Sequence, residues 1–568
     1  MRHNHYFKIS MMAVLVLALT ITVTISAAAQ SPFDEIKKIS VEGNENISEF
    51  EILSNVVTEV GDTLDQDLLR EDLRAVFDMG YFSDVNIAFE NYQNGLHVIF
   101  EIVENPILKE INFSGYGDVY SEEELKEMLN LKVETVLNVQ TMNENLKNIQ
   151  EKTQDNGYIL FRYTDVNISE EGILSIEMNP GYINDIKIEG NTKTDDRVIL
   201  REMPVESGDI VNINVIQKGY QNLYKVEYFE RVNPELEKVD SDKNTVNLVI
   251  KVSEGKTGRL HFGGGYSSKD GWLGFVNVSE KNLFGNGQNI GLKWQFGDVT
   301  TYSLNFYEPW LMNTRLSLGF SIYDKNTDSE DSDGNKYEEN NKGGSITFGY
   351  PITEEWRTSL RYRLEDTETV WEEEDLLDNR IDESGSIRSL TLAFNRDTTD
   401  HPFNPRHGGI DMLSTEYAGD FLGGDYDFTK YNLELRRFFP GFKGRQAWAL
   451  RMKAGLGYAD SGEIPYSEKY KLGGSESLRG YESKSFAGDN MLLFNLEYRF
   501  PFNDNFSGVI FADAGNTWDD RDSIDLGDMF FGKGVGLRMS TPIGQLRLDY
   551  GWDEDGDGMP HFSIGNAF

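Results

Sequence analysis

Two different spacings of apolar residues divide this chain. From about Gly258 to the C-terminus the pattern has a period of two: Ile290, Leu292, Trp294 and Phe296 alternate with Gly291, Lys293 and Gln295. Leu492, Phe494, Leu496, Tyr498 and Phe500 alternate with Leu493, Asn495, Glu497 and Arg499, and Leu546, Leu548, Tyr550 and Trp552 with Arg547, Asp549 and Gly551. Such alternation predicts strands with one apolar face. Before Gly258, short alternating runs flank stretches such as Leu64, Leu68, Leu69, Leu73, Val76 and Phe77, whose spacing of mostly three and four predicts amphipathic helices.

The mixed half repeats itself. The run Ile36-Lys37-Lys38-Ile39-Ser40-Val41-Glu42-Gly43-Asn44 returns as Ile183-Asn184-Asp185-Ile186-Lys187-Ile188-Glu189-Gly190-Asn191, and more loosely as Leu108 to Gly115. A second landmark, Gly80-Tyr81-Phe82, is echoed by Gly157-Tyr158-Ile159 and by Glu227-Tyr228-Phe229, and an alternating run from His97, Leu174 or Val246 closes each copy. Each unit therefore reads as strand, helix, helix, strand, strand, over residues 34–105, 106–180 and 181–255.

In the second half the residues opposite the apolar face decide what the strands enclose. A soluble sandwich buries apolar faces against each other. Here the other face carries Lys293, Glu497, Arg499 and Arg547, and aromatics gather near strand ends, which fits a membrane barrel with a wet lumen. A spanning strand takes about 9 to 11 residues, so residues 258–568 hold enough chain for about sixteen strands with turns. Asn286-Gly287 reads as a two-residue hairpin connection.

The N-terminus opens with Arg2 and Lys8, an apolar run from Ile9 to Ile25, and Ala27-Ala28-Ala29 before Gln30. That order predicts a secretory signal peptide over residues 1–29, shorter in its apolar part than a spanning helix. The chain has no cysteine, so disulfides and thiolate sites are excluded. Its 54 Lys and Arg against 95 Asp and Glu give −41, a balance that repels nucleic acid.

No enzyme chemistry is legible. Asp553-Glu554-Asp555-Gly556-Asp557-Gly558 begins like a calcium loop, but its twelfth position is Ile564 and no helical pattern flanks it. The seven His lack metal spacing, Gly263-Gly264-Gly265 lacks the phosphate-loop pattern, and no nucleophile elbow occurs. No cofactor and no metal is expected.

The unit order, the Gly-Tyr-Phe landmark and the triplication ahead of a strand-rich half resemble the polypeptide-transport-associated (POTRA) domains and barrel of the outer-membrane protein assembly factor family. Leu478-Arg479-Gly480-Tyr481, after the glycine-rich Leu472-Gly473-Gly474, resembles that family's Val/Leu-Arg-Gly-Phe/Tyr signature on a long extracellular loop folded back into the barrel. Phe511-Ala512-Asp513-Ala514-Gly515 resembles its Phe-x-Asp-x-Gly strand. Phe511, Asp513 and Gly515 share parity, so an inward Asp513 puts all three on the lumen wall, where Arg479 can pair with it.

The resemblance implies an α+β POTRA row followed by an all-β barrel of sixteen antiparallel strands in the outer membrane, with the repeats in the periplasm. The activity it implies is insertion of barrel precursors, bound by strand addition at exposed sheet edges. It also implies a weak seam between a first strand near Arg259 to Ser267, loosened by Gly263, Gly264 and Gly265, and a last strand near Met559 to Phe568. Phe562, Ile564 and Phe568 look like a C-terminal insertion signal. Expected partners are unfolded outer-membrane protein precursors and outer-membrane lipid, with accessory lipoproteins or periplasmic chaperones as further candidates. Alternatives are a translocation and assembly module subunit, a two-partner secretion transporter, which usually carries two repeats and a plug helix, and a passive porin, which needs no repeats. About ten residues separate the expected cleavage site from the first repeat strand, too few for a plug.

Overall fold

The computed structural model describes residues 35–564 except 241–242, 269–270, 332–333, 373–380, 402–403, 462, 504 and 542–543. The expected signal peptide, residues 1–29, and Phe568 lie outside the described residues. The chain forms two compact units, one of residues up to Asn191 with Ile199–Ser253, the other of Thr192–Val198 with Glu254–Phe568.

The first unit holds the repeats. In the first copy, strand β1 (Ile36–Glu42), helices α1 (Glu49–Leu53) and α2 (Gln66–Asp78), and strands β2 (Phe82–Tyr92) and β3 (Gly95–Glu104) follow in the expected order. The second copy contains β4 (Ile107–Leu108), β5 (Glu110–Ser114), α3 (Glu122–Leu129), β6 (Thr135–Val136), α4 (Val139–Asp155), β7 (Arg162–Ile168) and β8 (Ile173–Asn179). In the third are β9 (Tyr182–Glu189), α5 (Asp196–Leu200), α6 (Ile213–Lys225), β10 (Phe229–Asp240) and β11 (Thr245–Glu254). The three-stranded sheets run β1-β3-β2, β5-β8-β7 and β9-β11-β10, so the closing run of each copy is the central strand. The apolar side of that strand, Val98, Phe100 and Ile102 in the first copy, packs with Leu69 and Val76 of α2 in the core.

The glycine that ends each opening strand has a steric cause. Gly43, Gly115 and Gly190 all have positive φ, and a Cβ there would lie 2.1 to 2.2 Å from the backbone oxygen of Ile102, Met178 or Val252 in the central strand.

The glycine of the second landmark has a different cause. Gly80 and Gly157 follow the second helix of copies one and two, and each backbone oxygen accepts from the first residue of the next copy's second helix, Val139 or Ile213, at 2.8 and 2.9 Å. The N-cap of that helix, Asn138 or Asn212, puts its Oδ1 within 2.5 Å of where a Cβ would stand. In the third copy Glu227 takes the corresponding place, with φ 60°.

Loops after the opening strands are held by carboxylates. Glu104 accepts from the backbone N–H groups of Glu45, Asn46 and Ile47. Burial alone would raise its pKa, but those N–H groups and the Asn46 side chain outweigh it and lower it below the usual carboxylate value.

The second unit is a sixteen-stranded antiparallel sheet. Its strands are β12 (Gly258–Ser267), β13 (Gly271–Leu283), β14 (Gln288–Gly297), β15 (Val299–Glu308), β16 (Ser317–Glu330), β17 (Lys336–Pro351), β18 (Trp356–Trp371), β19 (Glu383–Asp397), β20 (Gly408–Ala418), β21 (Asp427–Pro440) and β22 (Ala447–Ser461). After a small hairpin of β23 (Tyr470–Leu472) and β24 (Phe486–Gly488), the sheet resumes with β25 (Asn490–Pro501), β26 (Phe506–Trp518), β27 (Phe530–Thr541), β28 (Gly544–Trp552) and β29 (Gly558–Ile564). The alternation maps as expected: Leu292, Trp294, Phe296, Leu548 and Tyr550 are exposed on the outer face, while Glu497, Arg547 and Asp549 are buried on the inner one. One expectation fails in detail. Between β13 and β14 the turn has four residues, Phe284 to Gly287, because Leu283 pairs with Gln288 and Asn282 Oδ1 accepts from Gly287 N–H at 2.7 Å. No described helix is long and apolar enough to cross a membrane.

Candidate functional site in the barrel lumen

The segment between β22 and β25 folds inward, which a chain this polar does only where its groups find partners. It carries the β23–β24 hairpin, whose Tyr470 and Leu472 form a small core with Met491 and Leu493 of β25. Gly515 on β26 lies under this hairpin. A Cβ there would stand 3.1 Å from Leu472 Cδ1, so the fifth position of the Phe-x-Asp-x-Gly stretch has little room for a side chain.

Beyond the hairpin, Leu478 and Arg479 are almost entirely buried, at 0% and 1% exposed. Arg479 meets Asp513 with both prongs: Nε donates to Oδ2 and Nη2 to Oδ1, each at 2.7 Å, and its own backbone N–H adds a bond to Oδ2 at 3.2 Å. Nη1 donates to Glu497 Oε1 at 2.6 Å, and the guanidinium sits 3.6 Å from the centre of the Phe511 ring. This is the planar, bidentate geometry that only Arg supplies. Gly480 has φ 102°, and a Cβ there would fall 2.8 to 2.9 Å from the backbone of Trp552 and Asp553. Its N–H donates to His561 Nε2 on β29 at 3.0 Å. Tyr481 donates its hydroxyl to the Phe531 carbonyl at 3.3 Å and meets Phe486 and Phe530 edge-on.

The structure thus brings Leu478, Arg479, Gly480 and Tyr481 against the wall that carries Phe511, Asp513 and Gly515. Gly263, Gly264 and Gly265 lie on β12 at the other end of the sheet. Phe562 and Ile564 lie on β29, where they pair with Leu548 and Leu546.

Sequence reasoning missed several members of this cluster. Arg538 bonds Asp549 and approaches Glu497 at 3.5 Å; Arg547 reaches Asp549 at 3.2 Å and the Ser475 carbonyl at 2.8 Å; Arg499 holds the second oxygen of Glu497 at 2.8 Å. Asn495 bridges the Ser477 carbonyl and Asp513. Cations and carboxylates so closely interleaved answer the desolvation cost of burying any one of them. The available signal was parity: each occupies an inward position of its strand.

A second anchor holds the base of the loop. Glu468 bonds Arg363 of β18 at 2.7 Å and Lys430 of β21 at 2.9 Å, and Arg363 also holds Glu416 of β20 at 2.8 Å. Tyr466 closes an aromatic cluster with Tyr337 and Trp371. The loop therefore spans the lumen, tied to the wall at both ends.

The two ends of the sheet are joined differently from its other neighbours. Strand order runs from β12 to β29, and among the described residues no ladder pairs those two strands. Contact between them includes Ser268, just past β12, whose N–H donates to the Phe562 carbonyl at 3.0 Å and whose hydroxyl accepts from Phe562 N–H at 2.7 Å.

An outer-membrane barrel with an inserted Arg-bearing loop, preceded by a row of β-α-α-β-β repeats, defines the class. Residues 282–568 match the model of the Omp85 superfamily domain, more than half of the chain, and the chain belongs to that superfamily. The repeats match the model described as surface antigen variable number repeat, POTRA, at residues 35–105, 106–181 and 181–255. Among similar proteins, the outer membrane protein assembly factor BamA of Nitratidesulfovibrio vulgaris is 28% identical over 94% of this chain and 73% of its own length. BamA of Neorickettsia risticii is 25% identical over 85% of this chain and 69% of its own length. The crystal structure of BamA from Haemophilus ducreyi lacking POTRA domains 1–3 superposes with a TM-score of 0.59 at 20% identity, covering 81% of this chain and 98% of that one.

Proposed function

We propose that this protein assembles β-barrel proteins into the outer membrane, receiving unfolded precursors on its periplasmic repeats and releasing them into the bilayer through the seam between β12 and β29. The relatives named as assembly factors support the activity. The observation that carries the mechanism is the sheet whose first and last strands share no ladder among the described residues. In lipid, each unsatisfied backbone group costs several kcal/mol, so an opened seam attracts a client strand that can pair with its edge. Gly263, Gly264 and Gly265 give β12 little side-chain packing to lose when it parts from a neighbour. Phe562, Ile564 and Phe568 are the C-terminal signal by which this protein would itself be received.

Each repeat sheet has two outer strands, among them β2, β7 and β10, and main-chain pairing at such edges binds clients of any sequence. Arg479 and its carboxylates hold the loop tip against the C-terminal wall while the seam works. The protein acts by pairing and release, without an enzymatic step. Outer-membrane lipid contacts the exposed outer face, and accessory lipoproteins or chaperones would deliver clients to the repeats.

The test is insertion of an unfolded barrel client into liposomes containing the purified full chain, scored by protease protection of the client. Insertion should stop when cysteines introduced into β12 and β29 are oxidised to a disulfide and resume on reduction. Equal insertion by locked and reduced protein overturns the seam; no insertion by wild-type protein overturns the activity.

A further inference from the structure

The loop tip touches the C-terminal wall strand after strand. Asn495 and Glu497 on β25, Asp513 on β26, Asp549 on β28 and finally His561 on β29 all meet Arg479 or its neighbours. The last of these contacts differs in kind. His561 is 2% exposed and accepts a hydrogen bond from a backbone N–H through Nε2, so that nitrogen carries no proton. It lies on the terminal strand of the sheet, which among the described residues has a ladder on one side only. Its position is next to Phe562, the residue that Ser268 engages from the far side of the seam.

We infer that His561 is a positioning residue for the seam: its imidazole ties the terminal strand to the loop tip through the Gly480 N–H and so holds β29 in the register at which Phe562 meets Ser268. This rests on the seam mechanism proposed above. The peg works on geometry that an apolar residue cannot supply. Without an acceptor at that point, the Gly480 N–H is left buried and unpaired, at a cost comparable to the hydrogen bonds Ser268 makes with Phe562. The terminal strand then relaxes away from the loop, and the edge presented to a client loses its fixed register.

The chain has no native cysteine, so spin labels can be placed at will. Trp272 on β13 and Tyr550 on β28 are 68% and 42% exposed and flank the seam. With labels at both, the full chain in liposomes should give one narrow distance distribution. His561→Leu should add a longer population, raising the open-to-closed ratio about tenfold, the weight of one buried hydrogen bond. His561→Gln, which can place an amide oxygen near the position of Nε2, should restore the narrow distribution. An unchanged distribution in His561→Leu, or His561→Gln behaving like His561→Leu, overturns the assignment. If His561→Leu does not fold, His561→Asn, whose shorter side chain leaves its oxygen short of the Gly480 N–H, takes its place against His561→Gln under the same criteria. Client insertion by wild-type protein in the same liposomes reports separately on the assembly reading, which survives a negative result at His561.

Discussion

The two ends of the barrel sheet are built on opposite terms. On the C-terminal side, the inner positions of β25 to β28 are occupied by charges at 1 to 4% exposure, locked to one another and to the loop: Glu497, Asp513, Arg538, Arg547 and Asp549. On the N-terminal side, β12 carries three consecutive glycines, and His261, Gly263 and, on β14, Lys293 are exposed. Both walls obey the same alternation of apolar outside and polar inside. The difference is in connectivity. One wall is a network of buried charges that share partners, while the other presents exposed inner positions such as His261 and Lys293. Under the seam mechanism proposed above, a stiff wall facing a looser one places the strand-accepting edge on the looser side.

The contrast is broken most severely at Arg479. Arg479→Ala leaves Asp513 buried without the cation that holds both its oxygens, while Glu497 keeps Arg499 and Arg538, and loss of one partner from a buried ion pair costs about 3 to 5 kcal/mol. Denaturant or thermal unfolding in detergent should show that loss, and client insertion in liposomes should fall at least about tenfold. Arg479→Lys should recover little of it, because an ammonium cannot make the paired bonds to Asp513.

Gly480→Ala comes next. It combines a left-handed backbone with a Cβ 2.8 Å from Trp552 C, a conflict on the order of 2 kcal/mol. A lowered midpoint in the same unfolding assay checks it.

Gly263→Ala should act in the opposite direction. It adds a methyl group 3.0 Å from the Phe275 ring, close enough to require a small ring shift, and removes unfolded-state freedom worth about 0.5 to 1 kcal/mol. The barrel should hold or gain stability while client insertion slows; faster insertion would contradict a loose first strand. Smallest of all, Lys293→Gln on the exposed inner wall should change stability by less than about 0.5 kcal/mol. A large loss there would mean that the N-terminal wall is networked too.

Much of this was visible in the amino-acid sequence because it is local. A strand announces its two faces by alternation, and the glycines at Gly43, Gly115 and Gly190 announce a strand end because the neighbouring backbone forbids a side chain. The Arg479 and Asp513 stretches could be singled out because each is a compact motif. Asp549, Arg538 and His561 could not. Their parity marked them as inward, but that they meet Arg479 depends on which strands curl under a loop drawn from another part of the barrel, and nothing in a single strand records that. The β13–β14 turn was misjudged for a related reason: Asn286-Gly287 suits a tight hairpin, yet Asn282 captures Gly287 and widens the connection.

The joints between repeats have a direction. Gly80 and Gly157 offer a carbonyl and a bare Cα; Asn138 and Asn212 cap a helix and fit against them. Such a coupling has a socket on one copy and a plug on the next, so a duplicated copy arrives with both halves and can be spliced into the row without redesign. The last copy needs no socket, and Glu227 fills its place. The joint is thus modular, one copy's carbonyl meeting the next copy's helix cap, and in this chain the copy that meets no further repeat carries a side chain where the other two carry glycine.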